Sequence, residues 1–160
     1  MTIPTDQEIL KLLDRLEEVT ADELESHWLE FKPWHDPKDE MRVAVECAVC
    51  FANAEGGVIA FGVDDRIRGR SQAIHGASRY SLDAWKRGIF DSTNPNIQVE
   101  VSELTVPEGT GKLLLVRVPQ CCDKRHSTSQ GLAKIRIGKN CMPMDPDQWT
   151  KHQISTGAID

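Results

Sequence analysis

At 160 residues, with 39% hydrophobic and 28% charged side chains, the chain has the composition of an ordinary globular domain with one core. Its apolar runs are far shorter than the roughly 20 residues that cross a bilayer, and the start MTIPTDQEIL lacks the features of a signal peptide. We therefore predict a single cytoplasmic domain over residues 1–160 with no membrane partner.

The net charge of −6 is unevenly distributed along the chain. Residues 1–40 carry 12 acidic and 4 basic side chains, whereas residues 66–139 carry 13 basic and 6 acidic ones. This asymmetry is compatible with a basic surface for a polyanion on an acidic protein. A mixed charge that only keeps the fold soluble explains the same pattern, and composition alone favours that simpler interpretation.

The cysteines are odd in number and follow no regular framework, which predicts reduced thiols rather than a disulfide scaffold. They are Cys47, Cys50, Cys121, Cys122 and Cys141. The first two lie in an apolar helical segment and read as small buried side chains. Cys121, Cys122, Cys141 and His126 are possible zinc ligands, but adjacent cysteines approach one ion less easily than a C-x2-C pair, so we expect no zinc site.

The predicted elements begin with two helices, each marked by a capping-box pattern. Thr5 with Glu8 precedes apolar residues at helical spacing, which predicts an amphipathic helix over residues 6–18. Thr20 with Glu23 repeats the pattern and predicts a short second helix.

The stretch WLEFK, residues 28–32, predicts a strand that Pro33 ends. Because side chains alternate along a strand, Trp28, Glu30 and Lys32 should project from one face while the apolar residues between them face inward.

A third helix is predicted from Pro37 or Lys38 to Ala54, with a small-residue face that indicates deep burial. Gly56 and Gly57 should end this helix, because glycine readily adopts the left-handed conformation of a helix stop.

The stretch VIAFGVD, residues 58–64, predicts a central strand that is apolar on both faces. On this prediction Asp64 shares a face with Ala60 and Gly62, whose small size leaves room for a metal ion or ligand.

The remaining pattern predicts one more helix, three strands and a terminal helix. Ser81 caps a helix through about Phe90; IQVEVSELTV and KLLLVRVP form a hairpin; LAKIRIGK is a further strand; and Asp145 with Pro146 begins a last helix over about 146–155. The order predicts an α+β fold, with a mixed β-sheet packed against helices in a single domain.

Glu30 and Lys32 on one strand face match the way many metal-dependent nucleases place a metal ligand beside a cation. The carboxylate would bind a divalent ion and the ammonium would stabilise phosphate charge. Taken alone, an acid and a lysine at this spacing fit a surface ion pair better. Glu25 can join them only if it ends the second helix and the chain then turns back.

Asp64 and Asp65 follow the predicted central strand directly. Together with Glu25 and Glu30, one of them would complete a set of three carboxylates, which is enough to hold Mg²⁺ or Mn²⁺. Without that context, the two aspartates fit a turn before Arg66.

Four blocks of this sequence, in order over roughly residues 24–142, resemble the Schlafen/AlbA-type domain. They are ESHWLEFK, FANAEGGVIAFGVDD, a hairpin ending LLLVRVP, and AKIRIGK. The first and last predicted helices lie outside this match. The resemblance implies the α+β fold already predicted.

The resemblance also implies a function, because Schlafen-family N-terminal regions cleave structured RNA such as tRNA with three carboxylates and a divalent metal. On this sequence the carboxylates would be Glu25, Glu30 and Asp64, with Asp65 as the alternative, and the metal Mg²⁺ or Mn²⁺. Lys32 would offset charge on the scissile phosphate. The side chains expected to contact the nucleic-acid backbone are Arg66, Arg68, Arg70, Arg136 and Lys139.

Two other functions stay open. Many bacterial members of that family are described only as DNA-binding or regulator modules, so a non-catalytic DNA- or RNA-binding module is the first alternative. A protein-interaction domain is the second. RNA is expected over DNA, and a homodimer could supply the second lobe that the nuclease regions of the animal proteins contain.

Overall fold

Short helices and short strands alternate along this chain. A computed structural model describes residues 2–121 and 124–155. The helices are α1 (Asp6–Leu13), α2 (Ala21–Leu24), α3 (Pro37–Ala52), α4 (Arg70–Ala73), α5 (Leu82–Asp91) and α6 (Pro146–Ser155). The strands are β1 (Leu29–Lys32), β2 (Gly57–Phe61), β3 (Thr93–Asn94), β4 (Glu100–Thr105), β5 (Lys112–Val118), β6 (Ser127–Thr128), β7 (Lys134–Ile137) and β8 (Asn140–Pro143). None of the described helices is both long and apolar enough to cross a membrane.

Both predicted capping boxes are present. The hydroxyl of Thr5 accepts a hydrogen bond from the Glu8 amide, and the Glu8 carboxylate accepts one from the Thr5 amide. At the start of α2 the capping box is formed by Thr20 and Glu23, whose carboxylate accepts hydrogen bonds from the amide and the hydroxyl of Thr20. After α1 the chain continues as a 3-10 helix (Asp14–Glu17). The predicted first helix is therefore confirmed, but its last turn has the tighter 3-10 geometry.

The central feature is a four-stranded sheet in the order β1-β2-β5-β4. β1 and β2 are parallel and are joined by α3, whereas β5 is antiparallel to both of its neighbours. A parallel pair needs a long crossover, which α3 supplies. The prediction of a mixed sheet packed against helices is therefore confirmed.

Alternation along β2 divides the hydrophobic core between the two faces of the sheet. Ile59 and Phe61 face one cluster, which contains the apolar sides of α3 and α5. Val58 and Ala60 face a second cluster, which contains α1, α2 and α4. The strand is thus buried on both faces, as its continuous apolar sequence predicts.

The glycine pair ends the third helix in the predicted way. Gly56 has φ +80°, in the left-handed region, and its amide donates to the carbonyl of Phe51 at 2.8 Å. β2 then ends at Phe61 rather than at residue 64, and Gly62, with φ +116°, turns the chain out of the strand. The strand alternation used to orient Asp64 therefore does not reach that residue.

A separate two-stranded hairpin of β7 and β8 packs against α3. A disulfide between Cys50 of α3 and Cys141 of β8 joins the two, with Cα atoms 6.0 Å apart. The prediction of reduced thiols is wrong for this pair, because packing brings together two cysteines 91 positions apart. Cys141 is therefore bonded to sulfur in this structure, and Cys122 lies outside the described residues.

We expect Gly56→Ala to lower the free energy of unfolding by about 2–4 kcal/mol, measured by urea denaturation. A Cβ at this position would lie 2.7 Å from the carbonyl oxygen of Val118 in β5, and the residue would be strained at its positive φ. Gly131→Ala is the matched control, because Gly131 has φ +87° but no atom within 4 Å of the added Cβ. The control should lose only about 1 kcal/mol, and equal losses would contradict the close approach of Gly56 to β5.

Candidate functional site

Two glutamates meet at the start of β1. Glu25 follows α2 in an extended conformation, and a turn closed by pairing of Ser26 with Leu29 brings the chain back on itself. The carboxylate of Glu25 then accepts a hydrogen bond from the amide of Phe31 at 2.9 Å. Its carboxyl group is also hydrogen-bonded to that of Glu30. The turn that the sequence analysis required between these two residues is present.

Two cationic side chains form ion pairs with the carboxylate of Glu30. Lys32 Nζ lies 3.2 Å from Glu30 Oε1, and Arg136 Nη1 lies 2.5 Å from Glu30 Oε2. Glu30 and Arg136 are buried, whereas the side chain of Lys32 is 31% exposed. Lys32 and Glu25 are therefore the two members of this group that solvent can reach. We call Glu25, Glu30, Lys32 and Arg136 the charged cluster.

Arg136 also seals the free edge of β1. Its Nη2 atom donates to the carbonyls of Ser26 and Leu29, at 2.8 and 3.0 Å. The guanidinium lies 5.0 Å from the centre of the Phe51 ring, in a cation–π contact. Its donors are thus directed into the protein, and this residue does not offer its charge to a nucleic-acid backbone at the surface.

Glu25 holds a proton near neutral pH. Burial and, after it, the nearby charge of Glu30 together raise its pKa from 4.5 to about 8. Burial acts to lower the pKa of Lys32, but Glu30, with smaller contributions from Cys47 and Glu25, outweighs that effect and leaves the pKa above its ordinary value. The charged cluster therefore combines a protonated acid with a persistent cation, an arrangement suited to proton transfer.

Cys47 projects from α3 toward the same cluster. Burial of the thiol, reinforced by the charge of Glu30, raises its pKa to about 12. Because the thiolate is the nucleophilic form, a thiol with this pKa is inert at neutral pH. Cys47 therefore packs beside the charged cluster as an uncharged thiol and does not act as a nucleophile.

The two aspartates lie at the turn that follows β2. Asp64 Oδ1 accepts a hydrogen bond from the Arg66 amide at 3.0 Å, which is the turn interpretation of this pair. The expected room beside Ala60 and Gly62 is filled, because a Cβ on Gly62 would lie 2.8 Å from the backbone of the loop at Gly76. Asp64 thus stands apart from the Glu25–Glu30 pair.

The charged cluster does not supply the donor set of a Mg²⁺ or Mn²⁺ site. Among the side chains that the structure describes, no three from Cys, His, Asp or Glu lie close enough to hold one ion. Both oxygens of Glu30 are already engaged, by Lys32 and by Arg136. Within the described part of the chain, every buried side-chain nitrogen or oxygen already has a hydrogen-bond partner. We therefore derive no chemical step through a metal.

Three exposed cations surround α2 beside the charged cluster. Arg66 and Arg68 lie in the loop after β2, and Lys139 lies in the turn between β7 and β8. The amide of Asp22 in α2 donates to the carbonyl of Asp65 at 2.9 Å, which holds that loop against α2. Lys139 Nζ lies 3.2 Å from the carboxylate of Asp22. We call Arg66, Arg68 and Lys139 the basic rim.

Arg70 was predicted to contact nucleic acid together with Arg66 and Arg68, but it does not belong to the basic rim. Its guanidinium donates to Glu108 at 2.6 Å and to Asp14 at 2.9 Å, and its side chain is 19% exposed. This arginine ties α4 to the 3-10 helix and to the turn before β5. Its charge is therefore neutralised inside the protein.

Sequence reasoning missed Asn53, which positions the hairpin that carries Arg136. Its buried side-chain amide donates to the carbonyls of His126 and Lys134, both at 2.9 Å, and accepts from the His126 amide at 2.8 Å. Lys134 begins β7, two residues before Arg136. The sequence signal was a polar residue between an apolar helix and a glycine pair, where a helix end needs a cap.

Comparisons with known proteins identify related sequences and folds. A family model described as Schlafen, AlbA_2 matches residues 25–145. The DIP2311 protein from Corynebacterium diphtheriae superposes with a TM-score of 0.68 and 20% identity over 91% of this chain, which spans 30% of the DIP2311 chain. The N-terminal domain of an ATP-dependent DNA helicase RecG-related protein from Nitrosomonas europaea superposes with a TM-score of 0.44 and 24% identity, covering 69% of this chain and 71% of that one. No curated protein matches the sequence.

We expect the unfolding free energy to fall as pH rises from about 4.5 to about 8, through Glu25. The folded chain keeps a proton on this carboxyl that the unfolded chain releases near 4.5, so the stabilisation is complete below 4.5 and lost as pH passes 8. Solvent screening of a part-buried group limits the slope to no more than about 1 kcal/mol per pH unit.

Urea denaturation at several pH values, with Glu25→Gln as the comparison, measures this slope. Glutamine keeps an acceptor oxygen for the Phe31 amide but cannot titrate, so the variant should have a flatter pH dependence. Identical slopes in the two proteins would contradict the raised pKa.

Proposed function

This chain belongs to the Schlafen, AlbA_2 family, and from that premise we propose that it is a nucleic-acid-binding domain that engages structured RNA. The observation that carries the proposal is the basic rim, which stands beside the part-buried Glu25 and the buried Glu30. Phosphates would contact the rim, and the strand would pass the exposed side of Lys32. RNA is the proposed ligand over DNA because the family resemblance favours it.

The cations of the basic rim are available to phosphates. Arg66 and Arg68 are exposed and make no ion pair within the described residues. Among those residues Lys139 contacts Asp22 alone, through its carbonyl oxygen and its exposed carboxylate. Water screens such an exposed ion pair so strongly that a phosphate can displace it. Contacts of this kind release counterions, so the binding they support weakens as salt increases.

Cleavage of the bound RNA is a second candidate function, favoured by the raised pKa of Glu25. Near neutral pH this group would donate its proton to the leaving oxygen of a phosphodiester, while Glu30 holds the carboxyl in place. The ammonium of Lys32 would stabilise the negative charge that develops on the phosphate. These roles are assigned to this chain's own side chains, and the assay below separates them from metal-dependent cleavage.

The Arg66→Ala/Arg68→Ala variant should bind a labelled RNA hairpin about tenfold more weakly, and its plot of log affinity against log salt should be shallower by about 1.5. Fluorescence anisotropy over a salt series measures both quantities. A DNA hairpin of the same sequence, tested in parallel, distinguishes the two nucleic acids.

Lys86→Ala/Arg87→Ala is the matched control for this binding test. It removes the same charge from exposed positions on α5, which packs against the other face of the sheet. The control should bind as the unchanged protein does. A larger loss in the control than in the rim variant would place the nucleic acid elsewhere, and salt-independent binding would contradict phosphate contacts.

If the chain cleaves RNA, Glu25→Gln should slow cleavage of tRNA by at least about 100-fold, because it removes the transferable proton. The assay runs with Mn²⁺ and with a chelator, and we expect cleavage in both. Glu25 is preferred to Glu30 for this test because removing Glu30 would leave the buried charge of Arg136 without its partner.

Glu18→Gln, at an exposed position, controls for a general effect of removing a carboxylate. Cleavage that requires Mn²⁺ and is unaffected by Glu25→Gln would contradict the proton-transfer role. No cleavage by the unchanged protein at micromolar concentration would contradict catalysis and leave the binding function alone.

A further inference from the structure

Besides the backbone itself, one covalent bond attaches the β7–β8 hairpin to the domain. Cys50 is buried in α3, whereas Cys141 in β8 is partly exposed. In the hairpin, Cys141 lies directly opposite Arg136. The disulfide therefore restrains the backbone position that faces the arginine of the charged cluster.

The other attachments of the hairpin are mostly polar, since Ile135 is the only apolar side chain of residues 134–143 that is buried. Asn53 holds the carbonyl of Lys134, and Arg136 holds the edge of β1. Lys139 contacts Asp22 through an exposed ion pair of the kind that contributes little. The hairpin forms its own two-stranded sheet, and the side chains of its turn and most of β8 are exposed. Regions with few buried apolar contacts open most readily.

We propose that the Cys50–Cys141 disulfide is a redox latch that holds the β7–β8 hairpin over the charged cluster. In the oxidised protein the latch keeps Arg136 on Glu30 and Lys139 in the basic rim. In the reduced protein the hairpin opens more often, which uncovers Glu30 and withdraws Lys139. The effect on RNA rests on the proposed function, whereas the opening of the hairpin does not.

A dithiol reductant supplies the electrons for opening the latch. Its thiolate attacks the more exposed sulfur, that of Cys141, and forms a mixed disulfide, while Cys50 leaves as a thiolate and takes up a proton. The second thiol of the reductant then attacks the mixed disulfide, releases Cys141 as a thiol and closes a cyclic disulfide. Two electrons and two protons are transferred to the protein.

Hydrogen exchange followed by mass spectrometry tests the latch without any nucleic acid. On reduction, amides in residues 134–143 should exchange about tenfold faster while those in residues 112–118 of the central sheet keep their protection. Unchanged exchange in the hairpin would overturn the proposal. So would an equal increase in both segments, because it would report a general loss of stability, and so would thiol labelling of Cys50 and Cys141 before reduction.

Two variants make the assignment specific. Cys50→Ala/Cys141→Ala should exchange like the reduced protein and should not respond to the dithiol. Cys47→Ser is the matched control: it lies three residues from Cys50, keeps the disulfide, and should respond as the unchanged protein does. A dithiol response that persists in the double variant would overturn the proposal.

Reduction should also weaken binding of the RNA hairpin about threefold and make its salt dependence shallower by about 0.7, the loss of one phosphate contact. If hairpin exchange rises on reduction but neither form binds RNA, the latch is supported and the proposed nucleic-acid function is contradicted. If RNA binds both forms equally while exchange is also unchanged, the latch is overturned and the binding function stands.

Discussion

A buried ion pair between Glu30 and Arg136 joins two parts of the chain that lie 106 residues apart, and the rest of the site depends on it. Because an unpaired charge in this environment would be costly, each of the two side chains requires the other. The same guanidinium binds the carbonyls of Ser26 and Leu29 along the free edge of β1. One arginine thus neutralises an acid and closes a sheet edge that would otherwise be open to pairing with another strand.

The C-terminal half of α3 is the platform that makes this ion pair possible. Phe51 lies against the guanidinium, Asn53 holds the start of β7, and Cys50 is bonded to β8. These contacts fix the position of Glu30, which lies beside Glu25. Burial and the neighbouring carboxylate disfavour the charged form of Glu25, so it retains its proton. Packing of a hairpin onto a helix is in this way coupled to the protonation of an acid beside an exposed basic rim.

Local patterns in the sequence predicted the main elements and half of the charged cluster. The two capping boxes, the left-handed glycine after α3 and the alternation in WLEFK depend on residues within one or two turns of each other. The short elements β3, β6, β8 and α4 were not predicted, because they have too few residues for a periodic pattern and form through contacts with distant segments. Asp64 was oriented by an alternation that stops at Gly62, where the chain leaves the sheet.

By itself, the sequence determined the α+β class, the order of the major helices and strands, and the shared strand face of Glu30 and Lys32, whereas it made the approach of Glu25 to Glu30 conditional on a turn. The tertiary structure alone decided which cations serve the site. Arg136 was expected at the surface, but because its hairpin packs on α3, its side chain points inward and forms an ion pair with Glu30. Arg70 likewise forms an ion pair with Glu108. It also decided the bond between Cys50 and Cys141. The physical reason is one of range: caps, turns and alternation act over a few residues, whereas ion pairs and disulfides form between whichever residues packing brings together.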